Sequence, residues 1–473
     1  MTLTRRYRMT LSGMALVLTL PAMAADPWDE RTPALGDRTT MPTGRLSRSD
    51  LDALTAQGEA LFSAKFTSLD GVGRPGATQA IIPTRRKHPR EQTFFRTAGL
   101  DAGACSSCHN EPVVGGAGDF VTNVFVSEGF ESADFDSLDP QFSNERGTNH
   151  LFGAGLIELL AREMSGELQA IRGKALEDAR SSGQTVRLPL SAKGVDFGFI
   201  TADADGSVNL DELAGIDTDL VIRPFSQKGV MTSLRQFTVN ALNQHSGMQP
   251  SERYGARWTG TDDFDSDGVS REVSDADVSA LVAWQATRPS PARVVPDKSG
   301  WAEAARRGEQ VFGDLGCTDC HRTSLPLEKA DFSDPGPYDA AGTLNDTQVA
   351  EPAIYDLTLN DWAQHLDRDE QGRLLVPLFG DLKRHEMTDR DITGFGNELL
   401  SQRFVDRNSF MTAELWGIGS TPPYGHRNDF TTLHEVILAH GGESRKTRDA
   451  YDAAADQDKS ALVAFLKTLV IVP

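Results

Sequence analysis

Cysteine is scarce in this chain: its 473 residues hold only four. Positive charge is short as well, with 47 Lys and Arg against 68 Asp and Glu and a net charge of −21. That balance argues against nucleic acid as a partner, because a phosphate backbone demands a basic face. Beyond the N-terminal stretch no apolar run approaches the ~20 residues that a helical membrane span needs. No membrane span is therefore expected in the mature chain.

What is present begins with a leader. Arg5, Arg6 and Arg8 precede an apolar stretch at 9–20, and Pro21-Ala22-Met23-Ala24-Ala25 follows. A basic start, a short apolar core and an Ala-x-Ala site make a secretory signal peptide over 1–24, with cleavage after Ala24 and a periplasmic destination. About 450 residues then remain, enough for two or three domains.

In an exported chain four cysteines would ordinarily pair as disulfides. Their spacing argues otherwise. All four fall in Cys-x-x-Cys-His units, Cys105-Ser-Ser-Cys108-His109 and Cys317-Thr-Asp-Cys320-His321. Composition alone predicts roughly 0.0007 such units in a chain like this, so neither is accidental. The spacing lets two thioether links and one axial imidazole come from a single turn, which is the attachment signature of haem c. A zinc site would need a further ligand at close, regular spacing, and none follows either motif. Two haem c groups are expected: one on Cys105 and Cys108 with His109 on its iron, one on Cys317 and Cys320 with His321.

The pattern around the motifs is also stated twice. Gly58-Glu-Ala-Leu-Phe62 returns as Gly308-Glu-Gln-Val-Phe312, and Ser279-Ala-Leu-Val-Ala-Trp284 returns as Ser460-Ala-Leu-Val-Ala-Phe465. Leu462, Val463, Phe465, Leu466 and Leu469 recur at helical spacing, so that segment reads as an amphipathic helix on a core. Ser49 and Ser299 are the expected N-caps of the two leading helices. A leading helix, a haem motif and a closing helix describe a mono-haem cytochrome c domain. The expected fold class is mainly α: two cytochrome c-like domains, 45–290 and 298–473, arising from an internal duplication with long loop insertions. Prolines at 289, 291 and 296 make the connection between them stiff. The insertions differ, one near 165–230 and one near 323–410, and such loops are where pockets are usually built.

Asn408-Ser-Phe-Met-Thr-Ala-Glu-Leu-Trp416-Gly-Ile-Gly-Ser-Thr-Pro-Pro-Tyr424-Gly-His426, Thr432-Leu-His-Glu-Val-Ile437 and His440-Gly-Gly-Glu443 resemble the di-haem oxidoreductase family. That family of peroxidases or "thiol oxidoreductases" is related to the bacterial di-haem cytochrome c peroxidases. The likeness extends over Arg384-His385-Glu-Met387, Arg223-Pro-Phe-Ser-Gln-Lys-Gly229 and Gly153-Ala-Gly-Leu-Ile-Glu158, and so over most of the mature chain. It implies one haem that receives electrons from a small redox protein or other donor, and one that reacts with peroxide or a small substrate. In the peroxidases a His in a Pro-Tyr-x-His turn is followed fourteen residues later by a Met, the distal ligand of the C-terminal haem. Here that position is His440, which the resemblance makes the distal ligand of the second haem, with His426 at the haem periphery.

The first haem has no such direct counterpart, because no His, Met or Tyr lies between His109 and His150. Internal repetition offers Met248 or His245, which occupy in repeat one the place that the His440 region holds in repeat two. A competing reading leaves the first iron open, with Glu158 above it as the acid/base for peroxide cleavage. The tryptophan that related enzymes place between their haems is also missing from its place. No Trp lies between Trp28 and Trp258, so a relay falls to Trp258, Trp284, Trp416 or another aromatic. Two acidic loops suggest calcium: Asp263, Asp265 and Asp267, followed by Gly268, have the spacing of a calcium loop but Ser274 where its closing Glu belongs, and Thr201-Ala-Asp203-Ala-Asp205-Gly206 reaches that Glu at Glu212 but starts with Thr.

Together these features describe a periplasmic di-haem c-type oxidoreductase coupling electron transfer to peroxide reduction or substrate oxidation. The alternative is a non-catalytic di-haem electron carrier. Purified from a host competent in cytochrome c maturation, the protein is expected to exceed the mass of its polypeptide by two haem groups. Replacing Cys105 and Cys108 by Ala removes one of them, and a colourless product at the bare polypeptide mass contradicts the reading.

Overall fold

The computed structural model describes residues 35, 40–78, 80, 82–86, 103–119, 121–126, 143–339, 342–397 and 403–472. Pro33–Pro473 gathers into one compact unit. The expected leader and its cleavage site after Ala24 lie outside the described residues. Among the described residues no helix is long and apolar enough to cross a membrane.

Helix ends follow local chemistry. α1 (Arg48–Ser63) opens at Ser47, whose hydroxyl accepts the Asp50 N–H at 3.2 Å. That cap sits ahead of the expected Ser49 because Ser47 has the extended backbone a cap requires. α2 (Ala154–Ser182) is bounded by Gly153 and Gly183, both left-handed. α3 (Leu234–Ser246) is capped by Ser233 and stopped by the left-handed Gly247. The single turns α4 (Ser251–Tyr254) and α5 (Ala256–Thr259) lead to α6 (Asp275–Ala286), which starts with a reciprocal capping box of Ser274 and Asp277. α7 (Trp301–Asp314) follows Gly300 in the left-handed region, with no side-chain cap, so Ser299 does not fill its expected role. α8 (Leu433–Leu438) opens on a Thr432–Glu435 capping box, and α9 (Arg445–Ala453) and α10 (Asp456–Leu466) complete the helices.

Short strands are interspersed, in sheets of two or three. Val186–Ala192, Val195–Ala202 and Val208–Asn209 make an antiparallel meander after α2. In the later insertion Leu325–Leu327 pairs with Leu374–Val376, and Asp331–Asp334 pairs with Ala353–Asp356. Gly44–Arg45 joins that second pair in parallel. The expected stiff connection is pinned as well: Ala292–Arg293 pairs with Leu469–Val470.

Two close helix crossings organise the packing. A Cβ on Gly58 of α1 would lie 2.0 Å from the Ala280 carbonyl oxygen and 2.7 Å from Trp284 Cβ on α6. A Cβ on Gly308 of α7 would lie 1.9 Å from the Ala461 carbonyl oxygen and 2.8 Å from Phe465 Cβ on α10. Around the first crossing grows the larger core, which runs from Leu61 and Leu160 to Phe332, Tyr355 and Val376 of the later insertion, and to Trp416. Around the second lies a smaller core of Val311, Phe312, Phe379, Leu462 and Phe465.

A buried cation ties the larger core together. Arg235 on α3 donates to Glu252 at 3.0 Å, to Asp334 at 2.9 Å and to the Ser279 hydroxyl at 3.0 Å. Tyr355 completes Asp334 with a 2.9 Å bond. Removing one member of such a set leaves an uncompensated buried charge, a loss of about 3–5 kcal/mol.

Gly58→Ala and Gly308→Ala should each lower the urea midpoint of the haem-loaded protein by the equivalent of about 1–3 kcal/mol, the usual cost of overpacking. Gly173→Ala, in the interior of α2 with nothing within 4 Å of an added Cβ, should instead stabilise by about 0.5–1 kcal/mol. Equal effects at all three positions would refute the close-crossing account.

Candidate functional site

The first motif forms a short helical turn, Cys105–Ser107, after an extended Ala104. The His109 N–H closes onto the Cys105 carbonyl at 3.1 Å. Its ring is held by the Gly116 carbonyl, 3.3 Å from Nδ1, and faces the Phe62 ring at 5.8 Å. A carbonyl only accepts, so Nδ1 carries the hydrogen and Nε2 keeps a lone pair, the tautomer that binds metal. The second motif repeats this. Cys317–Asp319 follows a left-handed Gly316, and the His321 N–H reaches the Cys317 carbonyl at 3.0 Å. His321 Nδ1 donates to the Phe379 carbonyl at 3.1 Å, and Phe312 stands 6.4 Å from the ring.

Electrostatics agree with that tautomer. Burial holds His109 at about 4, with the Gly116 and Asn149 carbonyls pulling upward and the charges of His245 and His150 pushing down. His321 is also held at about 4, by burial first and then by His440. Both imidazoles are neutral at pH 7, as iron ligation requires. Burial pushes the Cys105 and Cys317 thiols up to about 12. A thiol that high forms little thiolate and makes a poor redox nucleophile. The donor set of each turn, two sulfurs and one oriented nitrogen beside an aromatic wall, fits haem c.

The distal candidates fall as follows. His440, just past α8, donates from Nδ1 to the Val436 carbonyl at 2.8 Å, which leaves its Nε2 free. Its charge reaches His321. His245, in the last turn of α3, stands in the same relation to His109. Met248 is fully buried within the larger core. His426 is wedged against Phe410 at 4.6 Å and Phe395 at 5.9 Å. Burial and the charges of Arg146, Lys228 and Arg427 hold it at about 2. Cys320, Asp381 and His385 bring ligand atoms within 4.8 Å of one another. Both His385 nitrogens already face carboxylates, Asp381 and Glu443, each at 2.8 Å. Burial opposes the charge, but the Asp381 carboxylate on one nitrogen raises His385 above its ordinary value, so the ring, held between two carboxylates, offers a metal no lone pair.

Residues 369–469 match the family model described as "Di-haem oxidoreductase, putative peroxidase". That stretch of the chain is similar to the di-haem oxidoreductase family. A curated relative, the cytochrome-c peroxidase IdrP1 of Pseudomonas sp. (strain SCT), is 27% identical over 203 residues, 40% of this chain and 48% of its own length. The chain thus spans about half the length of that relative. Among solved structures, a MauG-like protein associated with microbial copper homeostasis aligns at 17% identity and a TM-score of 0.29, over 57% of this chain and 78% of that one. The hydrazine synthase of Kuenenia stuttgartiensis aligns at 14% identity and a TM-score of 0.35, over 94% of this chain and 100% of that one. Superpositions that loose carry no weight for fold or function.

The part matched as di-haem oxidoreductase contributes Trp416, which joins the two motif regions. His150 Nε2 donates to the Trp416 carbonyl at 3.0 Å, and the Trp416 N–H reaches the Leu378 carbonyl at 3.4 Å. Leu378 adjoins Phe379, the residue that orients His321. The indole edge of Trp416 fills the space beside Gly153, where a Cβ would lie 2.4 Å from it. Trp284 is buried against Phe62 at 4.2 Å, whereas Trp258 is 50% exposed.

Glu158 is fully buried on α2. One carboxylate oxygen pairs with Arg162, and the other accepts the Leu234 N–H at 2.7 Å, at the start of α3. Burial raises its pKa against those partners. Asp263, Asp265 and Asp267 do converge, with ligand atoms within 4.8 Å. Burial first, then the neighbouring carboxylates, push Asp265 to about 7. Glu272, which the spacing template does not reach, is buried within range of all three and is pushed well above its ordinary value. Its signal in the sequence is only an acid that follows the loop.

Glu158→Gln should cost about 1.5–3 kcal/mol in chemical denaturation, the worth of a hydrogen bond to a charged partner. The haem spectrum should not change. Unaltered stability with abolished peroxide turnover would instead make Glu158 the acid/base of the reaction.

Proposed function

We propose that this di-haem oxidoreductase is an exported, periplasmic c-type cytochrome enzyme. It moves electrons between two haem c groups and reduces peroxide, or oxidises a small substrate, at one of them. Bound haem c supplies one-electron chemistry, and peroxide chemistry where a sixth position is open. The observation that carries the reading is the repeated imidazole geometry. Each Cys-x-x-Cys-His turn presents a histidine whose Nδ1 is anchored on a carbonyl, the tautomer that keeps a lone pair on Nε2. The duplication into 45–290 and 298–473 draws support from the matched crossings at Gly58 and Gly308.

His109 and His321 are the proximal ligands in this reading, and His440 is the distal ligand of the second iron. For the first iron His245 is preferred to Met248, because its imidazole lies near His109 as that of His440 lies near His321. The route between the sites runs through His150, Trp416 and the Leu378–Phe379 backbone, since Trp258 lies at the surface. A small redox protein supplies the electrons.

The two histidine pairs favour one further reading, a carrier with both irons six-coordinate. Low-temperature EPR of the resting protein, CO binding in the half-reduced state and steady-state peroxide consumption separate the two. A high-spin signal or CO binding, with turnover, is expected of the enzyme. Two low-spin, CO-inert haems and no turnover in any reduction state would leave only the carrier.

A further inference from the structure

We propose that Asp263, Asp265, Asp267 and Glu272 form a divalent-cation site of calcium type that staples the turn following α3. It does not depend on the haem reading, since none of the four residues holds haem.

The three aspartates bring carboxylate oxygens within 4.8 Å of one another. Part of each carboxylate is used locally. The Asp267 N–H donates to Asp265 Oδ1 at 3.3 Å, the Gly268 N–H to Asp263 Oδ2 at 3.2 Å and the Val269 N–H to Asp267 Oδ1 at 2.7 Å. Two oxygens remain. Asp263 Oδ1 and Asp265 Oδ2 are buried and accept nothing from the described residues. Asp265 as a whole is 0% exposed. A buried anionic oxygen without a donor costs several kcal/mol unless a counter-charge meets it. Glu272, 6% exposed, packs beside them: a Cβ on Gly71 would lie 2.6 Å from its Oε2, on the same segment whose Gly76 abuts Asp265.

A set made only of carboxylates suits a hard cation. Oxygen ligands at flexible spacing select calcium over the softer transition metals, which prefer nitrogen and sulfur.

The surroundings give the site a structural task. Glu272 also accepts the Gln249 N–H at 2.7 Å, and the Ser251 N–H donates to the Val273 carbonyl at 2.9 Å. Residues 71–76 lie against the loop so closely that a Cβ on Gly76 would be 2.2 Å from the Asp265 carbonyl oxygen. The same segment holds the end of α3, through the Gly73 N–H on the Ser246 carbonyl at 3.0 Å. A cation here fixes three segments at once: the acidic loop, residues 71–76, and the turn that carries His245 and Met248.

The test titrates Ca²⁺ calorimetrically into EDTA-stripped holoprotein and follows thermal unfolding in Ca²⁺ and in EDTA. It compares wild type with Asp265→Asn, Glu272→Gln and the control Asp203→Asn, which alters a separate exposed acidic loop. Wild type and the control should bind Ca²⁺ and lose Tm in EDTA. Asp265→Asn and Glu272→Gln should each weaken binding by roughly tenfold or more, since ligand charge sets calcium affinity. Asp265→Asn should also make Tm insensitive to EDTA, and in EDTA it should melt no lower than wild type, because a buried charge is gone. Hydrogen exchange of the 246–251 backbone should slow on adding Ca²⁺ to wild type only where that site is intact. A wild-type protein without a calcium event, or an Asp265→Asn variant that binds as wild type does, overturns the proposal.

Discussion

Glycine in a helix interior costs about 0.5–1 kcal/mol relative to alanine. The chain bears that cost at Gly58 and Gly308 because any side chain there would strike a carbonyl of the facing helix. The two backbone contacts determine what lies around them. With α1 against α6, Phe62 comes within 4.2 Å of Trp284, and with α7 against α10, Phe312 comes within 5.5 Å of Phe465. Those aromatic pairs form the walls beside His109 and His321. Without the close approach, a Cys-x-x-Cys-His turn would present its histidine to a gap instead of a packed ring, and the imidazole would lose its fixed plane.

A wall alone does not choose which nitrogen faces a metal. That choice comes from the carbonyl on the other side, and the two sites obtain it differently. Gly116 belongs to the loop directly after the first motif, closed by the bridge between Glu111 and Ala117. Phe379 belongs to the later insertion, 58 residues beyond His321. The insertion therefore orients the second histidine, and its strands are anchored in the larger core through Leu325, Phe332 and Val376. Its place in the fold is that of a brace running from one core to the other site.

The parts legible in the sequence were those whose chemistry is local. The Cys-x-x-Cys-His turns declare themselves within five residues, and the repeated Gly-Glu-x-apolar-Phe and Ser-Ala-Leu-Val-Ala-aromatic segments are the faces that meet at the crossings. Cap positions were less legible: Ser49 is a good capping residue, but Ser47 has the extended backbone and a first-turn Asp50. What could not be read were partnerships set by tertiary structure. Arg235 meets Asp334 across 99 residues, and His150 meets Trp416 across 266. Glu272 escaped because a spacing template looks along the chain, whereas its burial against Gly71 and the Gln249 N–H is set by the fold. Glu158 sits among apolar residues of α2 because it is buried; its partners, Arg162 and the start of α3, appear only in the fold.

The link between the two motif regions has a property that follows from burial. His150 must carry its hydrogen on Nε2 to donate to the Trp416 carbonyl. Burial holds its pKa at about 4, so the ring stays neutral throughout the neutral range and its Nε2 hydrogen is retained by the carbonyl it faces. The connection through Trp416 to Leu378 and Phe379 is then a fixed part of the scaffold and does not titrate near neutral pH. The two motif histidines, His109 and His321, also neutral and held by carbonyls, are equally fixed. The surroundings of His440 and of the end of α3 differ, by contrast: His440 is held by the Val436 carbonyl just past α8, while His245 lies in the last turn of α3, before the left-handed Gly247.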